Sequence, residues 1–325
     1  MKNFKKLLTI FATSALLFIS CGNSKFDANG CYIDIDEAVK AAEKNNQDIM
    51  VIATFEGNDN ASEDFLNKVV RVPEFKKDIA SKYAVVCMDF SQATYEATKA
   101  AEDASAAEKK AAAKRAELLD KNSRYVEKLN LKQTPIVYIL SKEQYMINGL
   151  LYVDEDRSYE GFKAILDEKS SVITEMHNMI YQTKIGTPEE KVAAIDALYE
   201  ATSPSYRYLL LDLMESVKKL DSANKTGLLG KYIYAAADSK ANLAVLNGDV
   251  KGAVQFYIEI ENDERIPAEV RQQALYTAAY MCSASGAEEP SVVIGYLERA
   301  IKIAPESSDV PAIRRVIQAL SAKAE

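Results

Sequence analysis

The sequence predicts an α/β domain, a central mixed sheet flanked by helices, followed by an all-α domain. Three observations predict this. Continuous apolar runs from Asp48 to Phe55, Tyr83 to Phe90 and Thr134 to Leu140 alternate with stretches of helical spacing. Strand signals stop after Ser158-Tyr159, and only helical patterns follow. The 325 residues are enough for two domains, each burying its own core, and 48% hydrophobic with 27% charged residues is a globular balance.

The N-terminus reads as an address. Lys2, Lys5 and Lys6 precede a nearly unbroken apolar run from Leu7 to Ile19, and Ser20-Cys21-Gly22 opens a polar stretch. A basic segment, an apolar segment and small residues make an export signal, and the run is too short to span a bilayer comfortably. Leu16 to Cys21 resembles a bacterial lipobox, with Phe18 where Leu is usual. The resemblance implies a lipoprotein signal peptide over residues 1–20, acylation of Cys21 and a tether over residues 21–30. The expected location is the bacterial cell envelope, lipid-anchored and facing the periplasm.

The next elements follow in order. Cys31 to Ile35 is a short strand or lead-in, and Asp36 to Lys44 has helical spacing with Ala38, Val39 and Ala42 on one side. Asp48 to Phe55 suits a strand buried on both faces. The polar turn Glu56-Gly57-Asn58-Asp59-Asn60 leads into a helix from about Ala61, with Asp59 to Ser62 capping it. Tyr83 to Phe90 is a second buried strand, and Thr134 to Leu140 a third. Ser91 to Lys132 is an unusually long connection, in which Ala93 to Ala116 holds neither Gly nor Pro and reads as a solvated helix or a docking surface.

Asp36-Glu37-Ala38, Phe55-Glu56-Gly57, Val72-Pro73-Glu74-Phe75, Val85 to Asp89 and Thr134-Pro135, in this order, resemble the thioredoxin-like families over residues 31–168, with residues 91–132 as a helical insertion. The resemblance implies a cis Thr134-Pro135 bond beside the site, offering backbone to an extended peptide. It implies a peptide-facing groove at Asn60, Ala61, Asp64, Thr134 and Pro135. It also exposes a departure. Ala61 and Asp64 stand where the two redox cysteines belong, and Asn60 stands at the tryptophan position. Thiol–disulfide exchange needs a thiolate, so this position keeps its place in the fold and loses its reaction.

Composition excludes further chemistry. A single histidine, His177, rules out multi-His zinc sites and makes a His-based triad improbable. The net charge of -8 repels phosphate backbones, and removing the leader makes the chain more acidic still, so nucleic acid is not an expected partner. The oxygen-rich segment Asn58 to Asp64 lacks the Gly and Glu of a calcium loop in register. Neither metal nor cofactor is expected. Cys31, Cys87 and Cys282 form no C-x-x-C pair. Cys31 and Cys87 could pair in an oxidising envelope, but Cys87 and Cys282 fit better as small buried hydrophobes.

Residues 169–325 read as all-α. Gly161 to about Ile185 is helical and ends at Gly186, and Thr187-Pro188-Glu189-Glu190 is a capping box with Pro at the first helical position. Ser203-Pro204 starts another helix, and further helices are expected over 224–246, 250–261, 267–283, 290–303 and 310–324. Asn247-Gly248-Asp249 with Ala253, Phe256 and Tyr257, then Ser285-Gly286 with Val293, Leu297, Ala300 and Pro305, resemble tetratricopeptide repeats (TPR-like) over residues 235–306. The expected function is a non-catalytic lipoprotein that binds envelope proteins or peptides as a scaffold or assembly factor. Two alternatives stay open: a thiol–disulfide oxidoreductase using non-standard cysteines, and a ligand-binding lipoprotein of a transport system.

Overall fold

The computed structural model describes residues 25–151 and 158–324. Cys21 and the leader lie outside the described residues. The chain divides into two compact units between Ile173 and Thr174. Among the described residues, no helix is long and apolar enough to cross a membrane.

The first unit is a mixed four-stranded sheet with helices. Helix α1 (Ile35–Asn45) starts at Asp34, whose carboxylate caps the Asp36 amide, and buries Ala38 and Ala42. Strand β1 (Asp48–Thr54) is buried from Ile49 onward, as its unbroken apolar run requires. Helix α2 (Asn60–Phe65) continues through a π-helical turn at Leu66–Val70, and α3 (Pro73–Asp78) starts on Pro73. Strand β2 (Tyr83–Asp89), α4 (Gln92–Glu96), α5 (Ala106–Lys128), β3 (Ile136–Leu140), β4 (Met146–Leu151) and α6 (Tyr159–Glu168) complete it. The sheet order is β2-β1-β3-β4. Strand β1 runs parallel to β2 and antiparallel to β3, and β3 is antiparallel to β4.

Several local expectations change. The stretch Ala93 to Ala116 is not one helix. A break at residues 97–105 separates α4 from α5, because Ser105 and Glu108 form a capping box that starts a new helix. Strand β4 adds a fourth strand to the three the sequence predicts, antiparallel to β3. In the fold, Gly149 lies opposite Tyr138, whose ring a Cβ would meet at an ordinary 3.8 Å. Residues 25–30, expected as a tether, join the fold from Lys25 onward. Phe26 bridges to Tyr32, Tyr32 bridges in parallel to Val86, and Lys25 pairs with Glu37 at 2.5 Å.

Helix α7 (Ser170–Gln182), which contains His177, follows α6 after Lys169 rather than continuing it. The second unit holds α8 (Pro188–Ala201), α9 (Leu211–Leu220), α10 (Leu229–Leu246), α11 (Val250–Ile258), α12 (Ala268–Ser285), α13 (Pro290–Ile303) and α14 (Val310–Ala324). The Thr187 capping box and the left-handed Gly186 are in place. Ser203-Pro204 starts a 3-10 turn, Pro204–Leu210, without a side-chain cap. Helix α10 begins only at Leu229, because Asp221 gathers the Lys225 and Thr226 amides and the Thr226 hydroxyl into a loop. Consecutive helices from α10 to α14 share one core, in which Ala237, Ala241, Ala253, Ala274, Ala278 and Ala300 permit close approach.

Candidate functional site

The ends of β1 and β2 that carry the predicted groove are held by two carboxylates. Asp59 is the N-cap of α2. Its side chain accepts from the Ala61 amide at 3.0 Å, the Ser62 amide at 3.3 Å and the Ser62 hydroxyl at 2.7 Å. The Ser62 hydroxyl, fully buried, accepts in turn from the Phe55 amide at 3.0 Å. Asp59 also accepts from the Thr134 hydroxyl at 3.1 Å, joining the start of α2 to the loop before β3. The Thr134-Pro135 peptide is cis. Partial burial works to raise the Asp59 carboxyl, but the bonds from the Ser62 hydroxyl, Ala61 amide, Thr134 hydroxyl and Ser62 amide outweigh it and hold the group below its ordinary value.

Two of the predicted groove residues therefore converge on Asp59, and a third adjoins one of them. Ala61 contributes its amide, Thr134 its hydroxyl, and Pro135, buried, follows Thr134 directly. Asn60 is exposed as the first residue of α2. Asp64 forms an ion pair with Lys68 at 3.0 Å, one turn further along. The cap was readable from sequence as Asp followed by a helical stretch. The reach of Thr134 across seventy-five positions was not, because it depends on the β1–β3 pairing.

The second carboxylate, Asp89, was missed. It accepts from the Glu56 amide at 2.9 Å and the Thr54 hydroxyl at 3.3 Å, and from the Ser91 and Thr94 hydroxyls at 2.5 and 2.6 Å. Asn58 takes the Gln92 amide at 3.0 Å, and Glu56 pairs with Arg71 at 2.6 Å. The loops after β1 and β2 are thus tied to each other. Only the D-x-S/T spacing at Asp89-Phe90-Ser91 hints at this in the sequence.

The thiols lie elsewhere. Cys31 and Cys87 are both free; Cys31 is fully buried and Cys87 half-buried. Their sulfurs and an Asp27 carboxylate oxygen lie within 4.8 Å of one another. Strand β1 separates β2, which carries Cys87, from β3, which Pro135 immediately precedes. The Cys87 thiol is pushed well above the ordinary thiol range, first by its hydrogen bond with Cys31, then by burial and by the nearby Asp27, with Arg71 acting in opposition. A protonated thiol is a poor nucleophile. Cys282 is buried in the α12 core, and that burial raises its thiol too.

A family described as an uncharacterised protein C-terminal domain matches residues 228–325, the stretch from α10 to the end of the chain. A solved structure described as "DsbH Oxidoreductase" is similar at 13% identity with a TM-score of 0.31, over 48% of this chain and 89% of that one. A search of the curated proteins found no match. A likeness that distant says nothing of thiol chemistry here, which the residues themselves decide.

Proposed function

We propose that this chain is a non-catalytic envelope lipoprotein, anchored through Cys21, that binds protein or peptide segments as a scaffold or assembly factor. On this reading the first unit is a thioredoxin-like domain without its redox pair, and the second is a TPR-like array. The sheet order, with β1 parallel to β2 and antiparallel to β3, supports the first part. The consecutive packing of α10 to α14 around alanines supports the second.

The observation that carries the reading is the occupant of the α2 N-terminus. A redox site of this kind places a thiolate there, stabilised by the helix amides. Here the Asp59 carboxylate takes those amides, and Ala61 and Asp64 offer no sulfur. What survives is a backbone-lined edge beside Thr134 and Pro135, suited to an extended peptide. Crosslinking mass spectrometry in intact cells tests this. Reproducible crosslinks from the Asn60 to Asp64 segment or the loop at Thr134 to an envelope protein are expected, and their absence counts against it.

The adjacent thiols favour one other reading, an oxidoreductase built on Cys31 and Cys87. Its nucleophile would be a half-buried thiol held protonated, which weighs against rapid exchange.

A further inference from the structure

The segment from Lys25 to Ile33 is folded against the outer edge of β2. The Tyr32 amide donates to the Val85 carbonyl at 2.7 Å, and the Cys87 amide donates to the Tyr32 carbonyl at 3.0 Å. The turn before it is closed by Asp27. Its carboxylate accepts from the Asn29 amide at 2.8 Å and the Cys31 amide at 2.9 Å, while its own amide donates to the Cys31 carbonyl at 2.8 Å. Gly30, at a φ of 82°, supplies the left-handed residue that the turn requires. Stacking of Phe26 on Tyr32 at 4.6 Å finishes the clasp. The result brings the Cys31 sulfur within 4.8 Å of that of Cys87.

We propose that Cys31 and Cys87 form a disulfide that fastens this N-terminal strap to the sheet edge. Both sulfurs are already within 4.8 Å. Bond formation at about 2.05 Å requires the sulfurs to close the rest of that gap by side-chain rotation and a shift of the 27–31 turn. The oxidant is an external disulfide of the glutathione class. Cys87, half-buried where Cys31 is fully buried, is the thiol that meets the oxidant; it first gives its proton to solvent, so this step is slow, and the thiolate then attacks. A mixed disulfide forms and one glutathione thiol leaves. The Cys31 thiolate then attacks the Cys87 sulfur, the protein disulfide closes, and the second glutathione thiol leaves. Two electrons pass to the oxidant, and the two cysteine protons end on the released thiols.

The bond would enclose residues 32–86, a long loop of the unfolded chain, and so restrict the unfolded state most where such links act best. It would also secure the segment that directly follows the predicted anchoring residue.

The test uses the purified full chain, fully reduced, desalted and incubated with oxidised glutathione, then alkylated and mapped by peptide mass spectrometry. The expected result is a Cys31–Cys87 linked peptide, an alkylated Cys282, and a Tm about 5–10 °C above that of the reduced protein. In the Cys31→Ser variant, Cys87 should be trapped as a glutathione adduct. The proposal is overturned if Cys31 and Cys87 of the wild-type chain both remain alkylatable, if glutathione stays on Cys87, or if either pairs with Cys21. It is also overturned if the folded chain retains one zinc ion after gel filtration and that zinc protects both thiols, which would assign the cluster, with Asp27, to a metal.

Discussion

The two units distribute their polar ties differently. In the sheet unit, Asp59 and Asp89 sit at one end of the strands and tie loops together. In the helical unit, the polar ties are strung along the array. Tyr232 donates to Asp196 at 2.7 Å, Tyr257 donates to Asp238 at 2.7 Å, and the Gln272 amide donates to the Ala300 and Ala304 carbonyls at 3.1 and 3.0 Å. The first pattern shapes one local edge. The second sets the spacing of successive helices, each tie satisfying groups that burial would otherwise leave unpaired.

The largest effect that sharpens this contrast is expected from Gln272→Ala. It removes both donors from the last carbonyls of α13 inside the core, and urea unfolding should show a loss of about 1–3 kcal/mol. Asp59→Ala removes the α2 cap and the link to Thr134, with an expected loss of about 0.5–2 kcal/mol by the same measurement.

Asp59 also predicts a pH dependence. Its carboxyl is held below the ordinary value of 3.8, so the folded state binds the proton less readily than the unfolded state. The stabilisation is therefore fully present above that ordinary value and is lost as pH falls from there through the folded value. Asp59→Asn should flatten the stability curve in that acid range and leave neutral-pH slopes unchanged; equal slopes for variant and wild type would remove Asp59 from the account.

Tyr232→Phe should cost about 0.5–1.5 kcal/mol, since Asp196 keeps Lys231 at 2.6 Å as a partner. The smallest effect is expected from Lys68→Ala, under about 0.5 kcal/mol, because its pair with Asp64 is exposed.

Much of the fold was legible because its signals are local. The runs that became β1, β2 and β3 are continuous and apolar, and the Thr187 box and the bounds of α13 and α14 rest on caps or on Pro. The failures have physical causes of their own. Strand β4 was hidden because Asn148-Gly149, residues poor in strand propensity, interrupts its short apolar run. Ser105 with Glu108 divided a stretch that composition alone reads as one helix, and only their capping-box spacing signals the break. At the candidate site, the missing sulfur and the Asp59 cap were readable. The bond from Thr134, the Asp89 knot and the meeting of Cys31 with Cys87 were not, because each joins residues far apart in sequence through strand pairing.

The most direct test is an insulin-reduction assay on the purified chain with dithiothreitol as reductant. A carboxylate-capped α2 with no thiol predicts a rate indistinguishable from the uncatalysed control. A clear acceleration that disappears in Cys87→Ser would contradict it and make this chain an enzyme.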